Sequence, residues 1–188
     1  MKIVLQRVKE ASVTVGRKVA GKIGSGICLL VGIEKGDSKE DTHYLAKKIT
    51  ELRIFPDEDG KMNLSLSDVR GEVLAVSQFT LAGSVRKGRR PSFDKAEHPE
   101  KAERLFNYFV DLLRQKGIKV ATGVFGARMS VNLTNDGPVT FIITSLKYSR
   151  VEVAADAKHR VCSCGCPPQM PCNEADAVRS ARLKGKNC

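Results

Sequence analysis

Short runs of Val, Ile and Leu separated by glycines fill the first 33 residues of the chain. Residues 1–8 alternate weakly and residues 11–15 (ASVTV) alternate strictly, with the two-residue period of a half-buried strand. Residues 18–23 and 27–33 have the character of two further short strands. Gly16, Gly21, Gly24 and Gly26 punctuate these strands, as tight connections require. The pattern therefore predicts that the fold begins with several strands joined by hairpins.

Two longer segments have the pattern of helices. Ser38 is the predicted N-cap of a helix that ends near Leu52, with Asp41 placed for a capping box. Pro99 begins a second helix, which ends at 116–117. The later strands are predicted at residues 72–79, 118–120, 129–133 and 139–144. About seven strands and two helices without strict βαβ alternation predict an α+β fold, with a largely antiparallel, barrel-like sheet.

Length and composition limit the class of protein. The chain has 188 residues, of which 41% are apolar, so we expect one folded domain and a modest appendage. The longest apolar run, residues 27–33, is far shorter than the roughly 20 residues of a membrane-spanning helix. The first ten residues lack the apolar core of a signal peptide. We therefore expect a cytoplasmic protein without a membrane partner. Its net charge of +11 favours a polyanionic partner such as nucleic acid.

The cysteines divide the chain into a body, residues 1–146, and a basic, Cys-rich C-terminal extension, residues 147–188. Cys28 lies in an apolar strand, where it is expected to be a small buried residue. The other five cysteines are Cys162, Cys164, Cys166, Cys172 and Cys188. They could bind zinc together with His159, form disulfides, or stay free in a disordered or redox-active extension. Because the usual CxxC spacing is missing, we assign no metal site and no cofactor.

Three polar segments could carry chemistry. Residues 77–82 (SQFTLA) end a buried strand, residues 83–93 form a basic loop, and residues 135–140 (NDGPVT) have strong turn chemistry. Taken singly, the first is an ordinary strand end and the third an ordinary hairpin turn. The chain lacks the GxSxG, HExxH and Walker signatures, so a triad hydrolase or P-loop enzyme is not indicated.

Taken together with residues 5–8 (LQRV), these segments match one family in order and spacing. The body resembles the D-aminoacyl-tRNA deacylases, also called D-tyrosyl-tRNA deacylases. The resemblance implies an enzyme that hydrolyses the ester between a D-amino acid, or glycine, and the terminal adenosine of tRNA. It also implies a homodimer whose Gly-Pro segment, with a cis peptide bond, enters the partner subunit's active site. The substrate partner would be the 3′ end of aminoacyl-tRNA, including glycyl-tRNA mischarged on tRNA(Ala).

The resemblance also assigns residues to the site. The catalytic segment comprises Ser77, Gln78, Phe79 and Thr80. The substrate-binding residues are Arg7, Lys87, Pro91, Ser92, Phe93, Met129, Gly137 and Pro138. Arg7 would hold the Gly-Pro segment in place, and residues 87–93 would lie near the adenosine.

The sequence is compatible with two mechanisms. Backbone N–H groups of Phe79 and Thr80 could stabilise the tetrahedral oxyanion, and one such donor is worth about 3–4 kcal/mol. The attacking group could be Thr80 or a water molecule assisted by the RNA 2′-hydroxyl. A non-catalytic basic RNA-binding module, or a metal-binding protein acting through the extension, are the alternative functions. The sequence does not specify the preferred tRNA or D-amino acid.

Overall fold

The computed structural model describes residues 1–86 and 88–145. Lys87 and the extension with its five cysteines lie outside the described residues, and the expectations for them stay predictions. The strands are β1 (Lys2–Val15), β2 (Lys18–Ile23), β3 (Gly26–Gly32), β4 (Phe55–Pro56), β5 (Met62–Leu64), β6 (Glu72–Ser77), β7 (Val120–Thr122) and β8 (Ser130–Thr144). The helices are α1 (Lys39–Glu51) and α2 (Pro99–Gln115), and a 3-10 helix spans Phe79–Ala82.

The central strand of the sheet is β1, which is continuous although two strands were expected there. It is antiparallel to β2 and β3 on one side and to β8 on the other. The sheet continues from β3 to β6 and β7, and both of these pairings are parallel. Each parallel pair is joined by a crossover that contains α1 or α2, because a tight hairpin cannot join parallel strands. The predicted α+β fold with a largely antiparallel sheet is confirmed.

The two ends of the strand order approach each other, so the sheet is nearly closed. A Cβ added to Gly21 on β2 would lie 2.7 Å from the carbonyl oxygen of Thr122 on β7. This contact between backbones leaves room for glycine and no larger residue. The barrel-like prediction thus has a local cause in the sequence of β2.

The helices cover one face of the sheet. Asp41 accepts a hydrogen bond from the Ser38 backbone N–H at 2.9 Å, as the capping prediction requires. Helix α2 has a fully buried apolar stripe, and its Phe109 and Leu113 are both 0% exposed. A second cluster fills the other side of the sheet and includes Cys28, whose pKa burial raises to about 11. Two packed layers therefore support the sheet from both sides.

Two kinds of feature are not found in the part of the chain that the structure describes. No helix within residues 1–86 and 88–145 is long and apolar enough to cross a membrane. The same residues contain no group of three or more His, Cys, Asp or Glu side chains arranged to hold a metal ion.

Candidate active site

The predicted catalytic segment lies where β6 ends. Ser77 is the last residue of the strand, two residues earlier than predicted, and the Gln78 N–H donates to the Val31 carbonyl at 2.8 Å. The chain then turns into the 3-10 helix, whose first two amides belong to Phe79 and Thr80. Within residues 1–86 and 88–145, neither amide donates to a backbone or side-chain acceptor. The start of this helix thus presents two N–H groups that a ligand can use.

Close packing fixes the 3-10 helix against the neighbouring strand. A Cβ added to Gly32 on β3 would lie 2.8 Å from the Leu81 Cβ and 3.1 Å from the Gln78 carbonyl oxygen. A side chain at position 32 would therefore push the helix away from the sheet. The glycine allows the helix backbone to rest directly on β3.

The Thr80 hydroxyl has an amide neighbour. Gln78 Nε2 donates a hydrogen bond to Thr80 Oγ1. A carboxamide cannot accept a proton at neutral pH, so this contact orients the hydroxyl without activating it as a nucleophile. The Thr80 side chain is exposed at the surface of the segment.

A cleft of about 450 Å³ lies beside the strand end. Its walls are mainly apolar, with Val31, Val76 and Phe125 among them. Ser77, Gln78, Phe79 and Met129 line the same cleft, so the fold brings four of the predicted site residues together. An apolar cleft with a polar rim is the usual form of a small-ligand site.

Glu97 also lines this cleft, and the sequence analysis did not identify it. Its side chain is 8% exposed, and it accepts hydrogen bonds from Lys101 Nζ at 2.6 Å and the His98 N–H at 3.0 Å. These bonds hold the pKa of Glu97 below its usual value. The sequence signal was an acidic residue two positions before the proline that begins α2.

The basic loop is closed at its base by a pair of backbone hydrogen bonds. The Ser84 N–H donates to the Ser92 carbonyl at 2.8 Å, and the Ser92 N–H donates to the Ser84 carbonyl at 2.9 Å. Phe93 follows this bridge and packs edge-on against Phe79, with ring centroids 5.1 Å apart. Predicted residues Ser92 and Phe93 therefore lie next to the catalytic segment, and Pro91 is exposed on the loop.

The NDGPVT segment is a bulge, so the alternative of a hairpin turn is wrong. Strand β8 continues through it and stays paired with β1, with Val8 opposite Asn135 and Gln6 opposite Thr140. Four residues of β8 thus stand opposite Arg7 alone. The Gly137–Pro138 peptide bond within the bulge is cis, as the resemblance implies.

Arg7 lies beneath the bulge and is bonded to it. Its Nε donates to the Asp136 carbonyl at 3.2 Å and lies 2.9 Å from Asp136 Oδ2, and its Nη1 donates to the Ile54 carbonyl at 2.5 Å. A Cβ added to Gly137 would come within 3.2 Å of Arg7 Nη2, and the φ of Gly137 is +124°. The guanidinium therefore joins the bulge to the chain after α1, and Gly137 has no space for a side chain.

The register of the sheet keeps the bulge away from the catalytic segment of the same chain. Val31 of β3 is opposite both Ile3 and Ser77, whereas the bulge is opposite Arg7. Four residues along β1 correspond to about 13 Å, and three strand spacings to about 14 Å. Gly137 and Pro138 therefore form a second, separate part of the predicted site.

Comparisons with known proteins agree on one family. The family model described as D-Tyr-tRNA(Tyr) deacylase matches residues 4–144. A D-aminoacyl-tRNA deacylase of Bacillus velezensis is 60% identical over 77% of this chain and 99% of its own length. One of Geobacter sulfurreducens is 58% identical over 79% of this chain and 98% of its own.

Solved structures show the same fold. A structure titled c-Myc DNA Unwinding Element Binding Protein has a TM-score of 0.73 and 44% identity, and the match covers 77% of this chain and 99% of that one. A probable eukaryotic D-amino acid tRNA deacylase has a TM-score of 0.67 at 18% identity, over 76% and 97% of the two chains. The second likeness concerns the fold alone.

Proposed function

Because the chain belongs to the D-Tyr-tRNA(Tyr) deacylase family, we propose that it hydrolyses the ester bond of D-aminoacyl-tRNA. The products are a free D-amino acid and a tRNA that can be charged again. The reaction removes amino acids of the wrong hand before they reach the ribosome, so it is a chiral proofreading step in translation. Such a substrate is expected in the cytoplasm, and the net charge of +11 suits its polyanionic tRNA.

The single observation that carries this proposal is the pair of unpartnered amides at the edge of the cleft. Hydrolysis of an ester passes through a tetrahedral intermediate whose oxygen becomes negative. The Phe79 and Thr80 N–H groups are fixed at the start of one helical turn, and within residues 1–86 and 88–145 neither has an acceptor. They can therefore donate to the oxyanion.

The attacking group in this proposal is water, assisted by the 2′-hydroxyl of the terminal adenosine. An aminoacyl ester is already activated, so a strong protein base is not needed. The contact between Gln78 Nε2 and Thr80 Oγ1 supports this choice, because the amide that holds the threonine hydroxyl cannot take its proton. Thr80 is then a pocket residue that orients the substrate.

In this proposal the terminal adenosine packs against Phe79 and Phe93, the aromatic pair beside the cleft. Phe79 is 60% and Phe93 39% exposed, although each is large and apolar. Exposed rings of this kind stack on nucleic-acid bases. Pro91 and Ser92 belong to the adjoining loop, and Lys87 precedes them in the sequence. We assign all three to this part of the substrate site.

The active unit is proposed to be a homodimer. Gly137 and Pro138 lie too far along the sheet to reach the Ser77–Thr80 segment of their own chain. The bulge projects as a separate element held by Arg7, so a second copy can insert it into the cleft. Each subunit would then give one half of each site.

The inserted bulge would select the hand of the amino acid. With the Gly137 and Pro138 carbonyls facing the substrate, the α-amino group of one hand is accepted and an L side chain meets backbone. This filter works by a clash, so it tolerates many D side chains. Glycine has no side chain to clash, and glycyl-tRNA(Ala) is therefore a proposed second substrate.

The test is deacylation of D-Tyr-tRNA and L-Tyr-tRNA by the purified full-length protein. We expect release of D-Tyr at a rate far above the spontaneous one, with L-Tyr-tRNA left intact. Binding of both tRNAs without hydrolysis would instead support a non-catalytic RNA-binding module. Glycyl-tRNA(Ala) in the same assay tests the second substrate.

A further inference from the structure

The 3-10 helix that carries the two free amides is held at its other end by a residue from the start of the chain. Lys2, the first residue of β1, donates from Nζ to the Leu81 carbonyl at 3.2 Å. The same ammonium lies 3.6 Å from Glu34 Oε1. Lys2 therefore bridges the helix and a carboxylate that follows β3.

Glu34 is a buried and firmly placed partner. Its side chain is 3% exposed, and its backbone N–H donates to Asp37 Oδ2 at 2.6 Å. Glu34 also forms an antiparallel bridge with Ala96, which lines the cleft. Among the described residues, its Oε2 has no hydrogen-bond partner. A buried carboxylate with this lack of donors strongly favours a cation beside it.

Glu34 thus holds the Lys2 ammonium in place, and the ammonium in turn holds the helix through the Leu81 carbonyl. A lysine side chain is flexible, and a carboxylate contact reduces the number of positions it samples. The helix has a single turn, so a shift of the Leu81 carbonyl is passed on to the amides at its start. Gly32 supports the helix from below by close contact, and the Lys2 hydrogen bond adds a fixed point at the other end of the helix.

We propose that Lys2 is a positioning residue for the oxyanion donors, and that Glu34 holds Lys2 in place for this task. This inference rests on the proposed function, because the two N–H groups act as oxyanion donors in the hydrolysis of the ester. Lys2 does not touch the substrate in this proposal. It acts through the Leu81 carbonyl on the direction of the Phe79 and Thr80 N–H groups.

The test has to separate positioning from the burial of an unpaired charge. Lys2→Met alone would leave Glu34 buried without its cation, so the comparison uses a Glu34→Gln background. Lys2→Met in that background removes the ammonium with no buried charge left behind. Lys2→Arg in the native background keeps a cationic donor. Lys119→Met is the matched control, because Lys119 Nζ pairs with Glu72 Oε1 at 2.6 Å at the far end of β6.

The measurements are kcat and KM for D-Tyr-tRNA, with the thermal midpoint of each variant. Removal of one oxyanion donor lowers kcat by roughly 10²–10³-fold. A partial displacement of the donors should lower kcat by a smaller factor. We expect kcat to fall about tenfold from Glu34→Gln to the double variant, with KM unchanged. Lys2→Arg should retain most of the native kcat, and Lys119→Met should leave kcat unchanged. An equal kcat in Glu34→Gln and the double variant would overturn the proposal.

A second measurement does not depend on turnover. The amide resonances of Phe79 and Thr80 in ¹⁵N-labelled full-length protein should shift between Glu34→Gln and the double variant. Lys119→Met should leave them in place, and unmoved resonances in the double variant would refute the positioning role. If the native protein fails to hydrolyse D-Tyr-tRNA, the proposed function is refuted, while the amide shifts still decide whether Lys2 positions the helix.

Discussion

Arg7→Met is the perturbation that tests the two-part site most directly. The variant keeps a long apolar side chain in a place where Arg7 is 7% exposed, and it removes the guanidinium. Three interactions are lost: those of Nε with the carbonyl and the carboxylate of Asp136, and that of Nη1 with the Ile54 carbonyl. The bulge then loses its bond to the body.

The expected loss of stability follows from the burial of each partner. Ile54 is 3% exposed, so its carbonyl is left without a donor at a cost of about 1–3 kcal/mol. The Asp136 side chain is 35% exposed, and water replaces much of its interaction, so this pair adds about 1 kcal/mol or less. The free energy of unfolding should fall by about 3 kcal/mol in total. The free energy of unfolding of a typical domain is about 5–15 kcal/mol, so the variant should stay folded.

The effect on activity should be larger than the effect on stability. A misplacement of about 1 Å at a site can cost about 10²-fold in rate, and the released bulge would move by at least that amount. We expect kcat/KM for D-Tyr-tRNA to fall by about this factor, and the preference for D over L to shrink. Arg53→Met is the control, because Arg53 donates to Asn63 in the same manner from an exposed position. A variant that loses stability but keeps both kcat/KM and the preference for D would refute the role of Arg7.

Further outcomes are expected from changes to single residues, the substrate and the extension. Thr80→Ala should keep most activity. A loss of more than about 3 kcal/mol in transition-state stabilisation, measured from kcat/KM of the folded variant, would make Thr80 the nucleophile. A tRNA that ends in 2′-deoxyadenosine should be cleaved slowly, and a normal rate would exclude assistance by the RNA. Gly32→Ala should lower kcat with the thermal midpoint as the stability control, since its Cβ would lie 2.8 Å from a side chain of the 3-10 helix. Truncation after Leu146 should leave a folded, active dimer whose affinity for tRNA depends less steeply on salt. An insoluble or monomeric product would show that the boundary is wrong. Metal analysis of the full-length and shortened forms tests for zinc. The Lys101 hydrogen bond lowers the pKa of Glu97, so the stability that this bond gives the fold is complete above the ordinary pKa of 4.5 and is lost as the pH falls. Lys101→Met should therefore move acid unfolding to higher pH. An unchanged pH midpoint of acid unfolding would contradict this.

The sequence predicted local structure well where one segment contains all of the signals. Helix α1 was expected at 38–52 and spans Lys39–Glu51, because its cap and its apolar stripe lie within it. The parallel pairings of β6 could not be predicted in the same way. They depend on which distant strand lies beside it, and no local pattern of one strand contains that information.

The bulge shows a different limit. Asn, Asp, Gly and Pro together predict a reversal of the chain. Residues 136–139 do leave the register of the strand. The reversal is absent because β8 pairs with β1 on both sides of the bulge, which fixes the two halves in one direction. Pairing of the β8 residues on both sides of the bulge thus overrides the turn preference of four residues. Glu97 was missed for a related reason, since it meets the cleft through the packing of α2.

The burial of Cys28 offers a direct measure of how often the sheet opens. The thiol is 1% exposed between β3 and its neighbours, and its pKa of about 11 keeps it protonated at neutral pH. A thiol reagent can therefore attack it after the surrounding strands separate, since the thiolate is the reactive form. In a form shortened after residue 146, Cys28 is the sole cysteine. Its labelling rate then reports the free energy of opening in the middle of the sheet.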